Sequence, residues 1–87
     1  MKVERVYSKT EVVEGLEVEY FVTKGDLFGI GINETGYDGK VTEDVVYDIF
    51  LTQTSAEEFV DMLANHTVLS DSLRDILKDY FVEKMLA

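Results

Sequence analysis

Apolar and polar residues alternate most cleanly between Leu16 and Thr23. Leu16, Val18, Tyr20 and Val22 share one face, and Glu17, Glu19, Phe21 and Thr23 share the other. A period of two with one apolar face predicts a strand in an antiparallel sheet that is covered on one side. Before it, the run from Val3 to Val13 mixes Val3, Val6, Tyr7, Val12 and Val13 with charges. No single alternation survives that whole length, so a strand with a bulge is predicted. Glu14-Gly15 reads as the turn between the two.

After a turn at Lys24-Gly25-Asp26, Phe28, Ile30 and Ile32 alternate with Gly29 and Gly31. The apolar faces of this strand and the preceding one meet only in one parity of register, because a slip of one residue swaps faces. The predicted pairs are Val22 with Phe28, Tyr20 with Ile30 and Val18 with Ile32, across an odd loop of Lys24 to Asp26. Phe21 then lies across from Gly29 on the outer face, where its ring covers bare backbone. Glu34 to Thr42 is the longest turn-rich stretch and the predicted mobile loop. A fourth strand follows, with Val45, Tyr47, Ile49 and Leu51 read as its inward face.

From Thr54 the period changes to 3.6. Thr54 with Glu57, and Ser55 with Glu58, each fit a capping box. Phe59, Val60, Leu63 and Ala64 form one stripe, opposite Glu57, Glu58, Asp61 and Asn65. Asn65 to Leu69 links this helix to a second, with Ser70 as its expected N-cap and Leu73, Ile76, Leu77, Tyr80 and Phe81 as its stripe. The stripe then loses phase, since Lys84 lands within it and Val82 and Leu86 land behind it. Either the helix frays near Phe81, or its last turn touches something on more than one side. The predicted architecture is a single α+β domain over residues 1–87. It has a four-stranded antiparallel meander within residues 3–51, and helices over 55–65 and 71–83 pack on one face.

Composition narrows the function classes. The 87 residues carry 18 acidic and 8 basic side chains, a formal net charge of −10. Such a surface repels nucleic acid and anionic lipid, so neither is an expected partner. There is no cysteine, which removes disulfides, thiolate nucleophiles and cysteine-based zinc sites. No apolar run has the roughly 20 residues of a membrane span, and no signal-peptide core follows Met1 to Arg5. A cytoplasmic protein fits these features.

The candidate chemical motifs are incomplete. Gly29-x-Gly31 lacks the third glycine and the following helix of a dinucleotide-binding turn. Asn33, Glu34, Asp38, Glu43 and Asp44 are oxygen-rich, but their spacing is not that of a calcium loop. His66 stands alone, at a helix end where the dipole favours it. Ser70 or Ser72 with His66 and Asp71 makes a triad on paper, without a nucleophile elbow. The paired carboxylates Glu17/Glu19 and Asp71/Asp75/Asp79 read as exposed, whereas acid–base work needs a pocket that separates two pKa values. No cofactor or metal is implied.

The segment Phe28-Gly29-Ile30-Gly31-Ile32, with Val68-Leu69-Ser70 and then Leu73-x-x-Ile76-Leu77-x-x-Tyr80-Phe81, resembles a family of short bacterial proteins of unknown function, found mostly in anaerobic spore-formers. The resemblance covers the last two-thirds of the chain. In the family the serine is usually followed by proline, where this chain has Asp71, and the spacing from Ser70 to Leu73 is one residue shorter here. The resemblance implies a compact β-then-α domain and no particular activity.

Two functions are therefore expected. The first is a non-enzymatic interaction or regulatory module whose partner surface, for another protein or a second copy, comprises Val82, Met85, Leu86 and Phe21. The alternative is a small-ligand-binding protein or minor enzyme, with a pocket between sheet and helices lined by Tyr20, Tyr47, Phe59 and Tyr80.

Overall fold

A computed structural model describes residues 3–86, with side chains through Val82. The elements are β1 (Glu4–Val13), β2 (Leu16–Lys24), β3 (Phe28–Thr35), β4 (Val41–Phe50), α1 (Gln53–Asn65) and α2 (Leu73–Leu86), with a 3-10 turn at Ser70–Ser72. The strands form one antiparallel sheet in the order β1-β2-β3-β4, followed by the two helices. This is the α+β meander that the pattern predicts.

The β1–β2 hairpin closes on Glu14 and Gly15, both at positive φ (52° and 82°). Two left-handed central residues match the right-handed twist of the flanking strands. The bulge expected in β1 falls at Val6, where the pairing shifts between Arg5 and Tyr7. Between β2 and β3 the parity is as predicted, but the register is moved by two: Val22 faces Ile30 and Tyr20 faces Ile32. The loop is still three residues, now Gly25 to Leu27. The cause lies in a distant strand, for the Asp48 carboxylate accepts the Leu27 N–H at 3.0 Å and holds Leu27 out of the ladder.

Asp48 also corrects the reading of β4. The strand bulges between Val46, which faces Ile30, and Phe50, which faces Phe28. Asp48 sits in the bulge at φ 55°, a conformation that aspartate tolerates better than most residues. Val46 and Phe50 therefore share the inner face with Ile30 and Phe28, whereas Tyr47 is 54% and Leu51 81% exposed. Nor is Glu34–Thr42 a long loop. β3 runs to Thr35, and the turn is closed by Gly36 N–H to Lys40 O and Gly39 N–H to Gly36 O, both 2.9 Å.

The core lies between the inner face of the sheet and the helices. Val18, Tyr20, Val22, Ile30 and Ile32 meet Phe59, Val60 and Leu63 of α1 and Leu73 and Leu77 of α2. The α1 stripe is as predicted, but its cap is Thr52, whose hydroxyl accepts the Ser55 N–H at 3.2 Å. The helix thus starts two residues before the expected capping boxes. The link from α1 to α2 is fixed by Tyr20, whose hydroxyl donates to Val68 O at 2.8 Å. Glu34 fixes the next residue pair, its carboxylate accepting the Ser70 N–H.

Candidate functional site

Phe50 ends β4 inside a cluster of four rings. Its centroid is 5.5 Å from Phe59, 6.0 Å from Tyr80 and 5.6 Å from Phe81, and Phe59 meets Tyr80 edge to face at 4.9 Å. Rings of this size act as spacers between α2 and the strand. Beside them the space is left open as a groove. One hollow of about 260 Å³ is lined by Val46, Ile49, Arg74, Leu77, Lys78 and Phe81. A second, of about 350 Å³, is lined by Ile49, Phe50, Leu51, Ser55, Tyr80 and Phe81. Ile49 and Phe81 belong to both, so the hollows share their walls.

Arg74 braces one end of this groove. Its guanidinium holds Asp44 through Nε at 3.1 Å and Nη2 at 2.9 Å, and reaches Val45 O at 3.5 Å. The bond to Asp44 raises the arginine above its ordinary pKa. A further hollow of about 300 Å³ lies at the β3–β4 turn, with Tyr37 almost wholly exposed beside Asp38 and Lys40.

The other ionic clusters are structural in character. Tyr7 donates to Asp61 Oδ1 at 2.5 Å, and Lys9 Nζ lies 3.1 Å from the same oxygen. The Tyr7 hydrogen bond, with Lys9 beside it, holds the Asp61 carboxyl below its ordinary value. The same aspartate raises both Tyr7 and Lys9. All three are moved away from neutrality, whereas a proton-transfer group is most effective near the working pH.

On the outer face of the sheet, Arg5 stacks 3.8 Å above the Phe21 ring. It pairs with Glu19, and with Glu43 at 3.0 Å, while Asn33 donates to Glu43 at 2.7 Å. The oxygen-rich residues of 33–44 are thereby dispersed. Glu43 serves Arg5 and accepts from Asn33, Glu34 serves Ser70, Asp44 serves Arg74, and Asp38 accepts the Lys40 N–H. Among the described residues no three His, Asp or Glu side chains gather as a metal-binding group.

The expected site residues are not gathered into one place. Phe21 is only 1% exposed, sealed between Gly31 and Arg5, and offers no surface to a partner. Its ring covers Gly31 rather than Gly29 because of the shifted register. Val82 is exposed beyond the α2 stripe. The α2 backbone continues past Phe81 to Leu86 without fraying, and the side chains of Met85 and Leu86 lie outside the described residues. Of the four pocket aromatics only Phe59 and Tyr80 meet. Tyr20 is fully buried, with burial raising its hydroxyl pKa, and Tyr47 is exposed.

The groove was missed although a signal for it existed. Val45-Val46 and Ile49-Phe50-Leu51 are apolar at consecutive positions, and a strand can turn only alternate side chains inward.

Over residues 2–83 the chain matches a family of unknown function, DUF6514. The chain belongs to that family. Both walls of the groove, Val46–Leu51 and Arg74–Phe81, fall inside the matched stretch. No curated protein and no solved structure matches the chain. No helix among the described residues is long and apolar enough to cross a membrane.

Proposed function

We propose that this DUF6514 chain is a non-enzymatic interaction module that receives a protein partner in the groove between β4 and α2. One observation carries the reading: Ile49, Leu51 and Phe81 are left partly or largely uncovered side by side, lining one hollow between β4 and α2. Contiguous exposed apolar surface of this kind marks sites of association more often than isolated apolar residues do. The ionic clusters add support, since each is spent on a strand, a helix start or a turn. A bacterial, cytoplasmic setting without nucleic acid as a partner belongs to the same reading, on the grounds of the family resemblance, the absence of cysteine and the net charge.

The test is site-specific photo-crosslinking in living cells, with the photoreactive residue at Leu51 or, as a control, at Tyr37, which is also exposed but lies at the β3–β4 turn. Discrete adducts at position 51 and none at position 37 are expected. No adduct at 51, or the same adducts at both positions, would sink the proposal.

A further inference from the structure

The two edge strands of the sheet are finished differently. β4 is blunted, because the left-handed bulge at Asp48 interrupts its ladder and Arg74 reaches Val45 O. β1 is the opposite edge. Beyond its own bulge at Val6 it pairs with β2 without interruption from Tyr7 to Val13. Among the described residues, no backbone hydrogen bond ties β1 to anything but β2. Its outward N–H and C=O groups are therefore a template for another strand. Ser8, Thr10, Glu11 and Val12 are exposed there, Val12 by 77%.

Charged side chains commonly guard such an edge, but here they have opposite signs two residues apart. Lys9 and Glu11 face Tyr20 and Val18 across the ladder, so both lie on the helix side of the sheet with Tyr7 and Val13. Ser8, Thr10 and Val12 lie on the other side. Two copies of this edge, paired antiparallel about a two-fold axis, keep their faces only if the register moves in steps of two. With the axis at Lys9, lysine faces lysine. With the axis at Glu11, glutamate faces glutamate, and with it at Ser8 the pairing runs into the bulge at Val6. With the axis at Thr10, Lys9 of each copy faces Glu11 of the other, threonine faces threonine, Ser8 faces Val12 and Tyr7 faces Val13. Opposite charges, threonine pairs and an aromatic ring beside a β-branched residue are the cross-strand neighbours that stabilise a sheet.

We propose that the β1 edge joins two copies of this chain, antiparallel from Tyr7 to Val13 with the two-fold axis at Thr10, so that their sheets become one. Charge complementarity within the strand selects both the occupant and the register. The net charge of −10 on each copy opposes association, but Lys9 and Glu11 leave the contact itself neutral. At ~0.15 M salt, charges more than about 8 Å apart are largely screened. Lys9 then sits between Asp61 of its own chain, 3.1 Å away, and Glu11 of the second copy. The groove between β4 and α2 lies at the far edge of the sheet, so the pair carries one groove at each end. The interface does not depend on what the groove receives.

Sedimentation equilibrium of the full chain, from micromolar to millimolar concentration at ~0.15 M salt, should show a reversible dimer. Amide chemical shifts that move with concentration should lie at Tyr7–Val13. Glu11 is exposed and has no ion-pair partner among the described residues, so Glu11→Lys leaves the monomer's contacts intact. That change lowers the net negative charge, which by itself favours association. It should nevertheless weaken the dimer about tenfold or more, because both Lys9–Glu11 pairs become lysine pairs. Lys9→Glu should weaken it likewise, and mixing the two folded variants should restore a dimer, since each then faces its opposite. A wild type that stays monomeric, a dimer that Glu11→Lys strengthens or leaves unchanged, or shifts that lie away from β1 would each overturn the proposal. Should Lys9→Glu fail to fold without its Asp61 contact, the Glu11→Lys result and the shifts decide alone. A dimer lost in Leu51→Asn but kept in Glu11→Lys places the second copy in the groove, which overturns the β1 interface and leaves the groove standing.

Discussion

Replacing Gly31 by alanine would place a methyl group inside the ring of Phe21, against its Cζ and both Cε atoms. The ring has little room to retreat, since it is 1% exposed and Arg5 stacks over its other face at 3.8 Å. Overpacking of this kind costs about 1–3 kcal/mol, and losing the stacked guanidinium about 0.5–1 kcal/mol. Against this, alanine restricts the unfolded chain, which returns about 0.4–1 kcal/mol. The net loss should centre on about 2 kcal/mol, or a fall in Tm of about 8–16 °C for a chain of this size.

Phe21→Leu removes the ring tip that the methyl meets, at its own cost of about 1–2 kcal/mol. In that background Gly31→Ala should be neutral or slightly stabilising. Urea denaturation of the four proteins of this cycle measures the coupling, expected at about 2–3 kcal/mol, the upper range for residues in contact. Gly29→Ala is the contrast. Its methyl would meet Thr23 Oγ1 at 2.6 Å and the Tyr47 Cα at 2.8 Å. Backbone of the β4 bulge cannot swing aside, so Phe21→Leu should not rescue it. A Gly31→Ala cost below about 0.5 kcal/mol, or an equal cost in both backgrounds, would refute the reasoning.

Two further outcomes follow from particular contacts. Asp48→Gly keeps the left-handed backbone and loses only the bond to Leu27 N–H, for about 0.5–1.5 kcal/mol. Asp48→Ala adds backbone strain of about 1–2 kcal/mol, so urea midpoints should fall in the order Asp, Gly, Ala, and an alanine variant as stable as glycine contradicts the strain. The Tyr7–Asp61–Lys9 cluster should shape both ends of the pH–stability profile. Asp61 is lowered from 3.8, so its contribution is present above that value and is lost as pH falls through the lower folded pKa. Tyr7 and Lys9 are raised from 10.0 and 10.5, so theirs are complete below those values and are lost as pH rises through the higher folded ones. Tyr7→Phe should flatten both limbs in pH-dependent urea melts, and an unchanged acid limb would show that the tyrosine does not hold Asp61.

Much of the fold is legible because its periodicities are local. The α1 stripe of Phe59, Val60, Leu63 and Ala64 is buried as read, and so are Val18, Tyr20, Val22, Ile30 and Ile32 on the sheet. Glu14-Gly15 turns where its side-chain chemistry directs. The partner and pocket residues were less accessible. Tyr47 is apolar enough for an inner face, and Phe21 sits among outer-face residues; only their neighbours in space reverse both expectations. The groove itself forms between segments more than twenty residues apart.

The sequence by itself determined which segments are strands and helices, and the parity with which β2 and β3 meet, because burial on one face admits only one parity. It did not determine which of two registers of that parity is adopted, nor the phase of β4. Val45, Val46, Ile49 and Phe50 satisfy either phase, so local hydrophobicity is degenerate there. The tertiary structure breaks the tie through one carboxylate. Asp48 leaves the inner face for a left-handed bulge and takes the Leu27 N–H, setting the hairpin and turning Phe50 inward. With Phe50 fixed among Phe59, Tyr80 and Phe81, α2 lies where it leaves Ile49 and Leu51 uncovered.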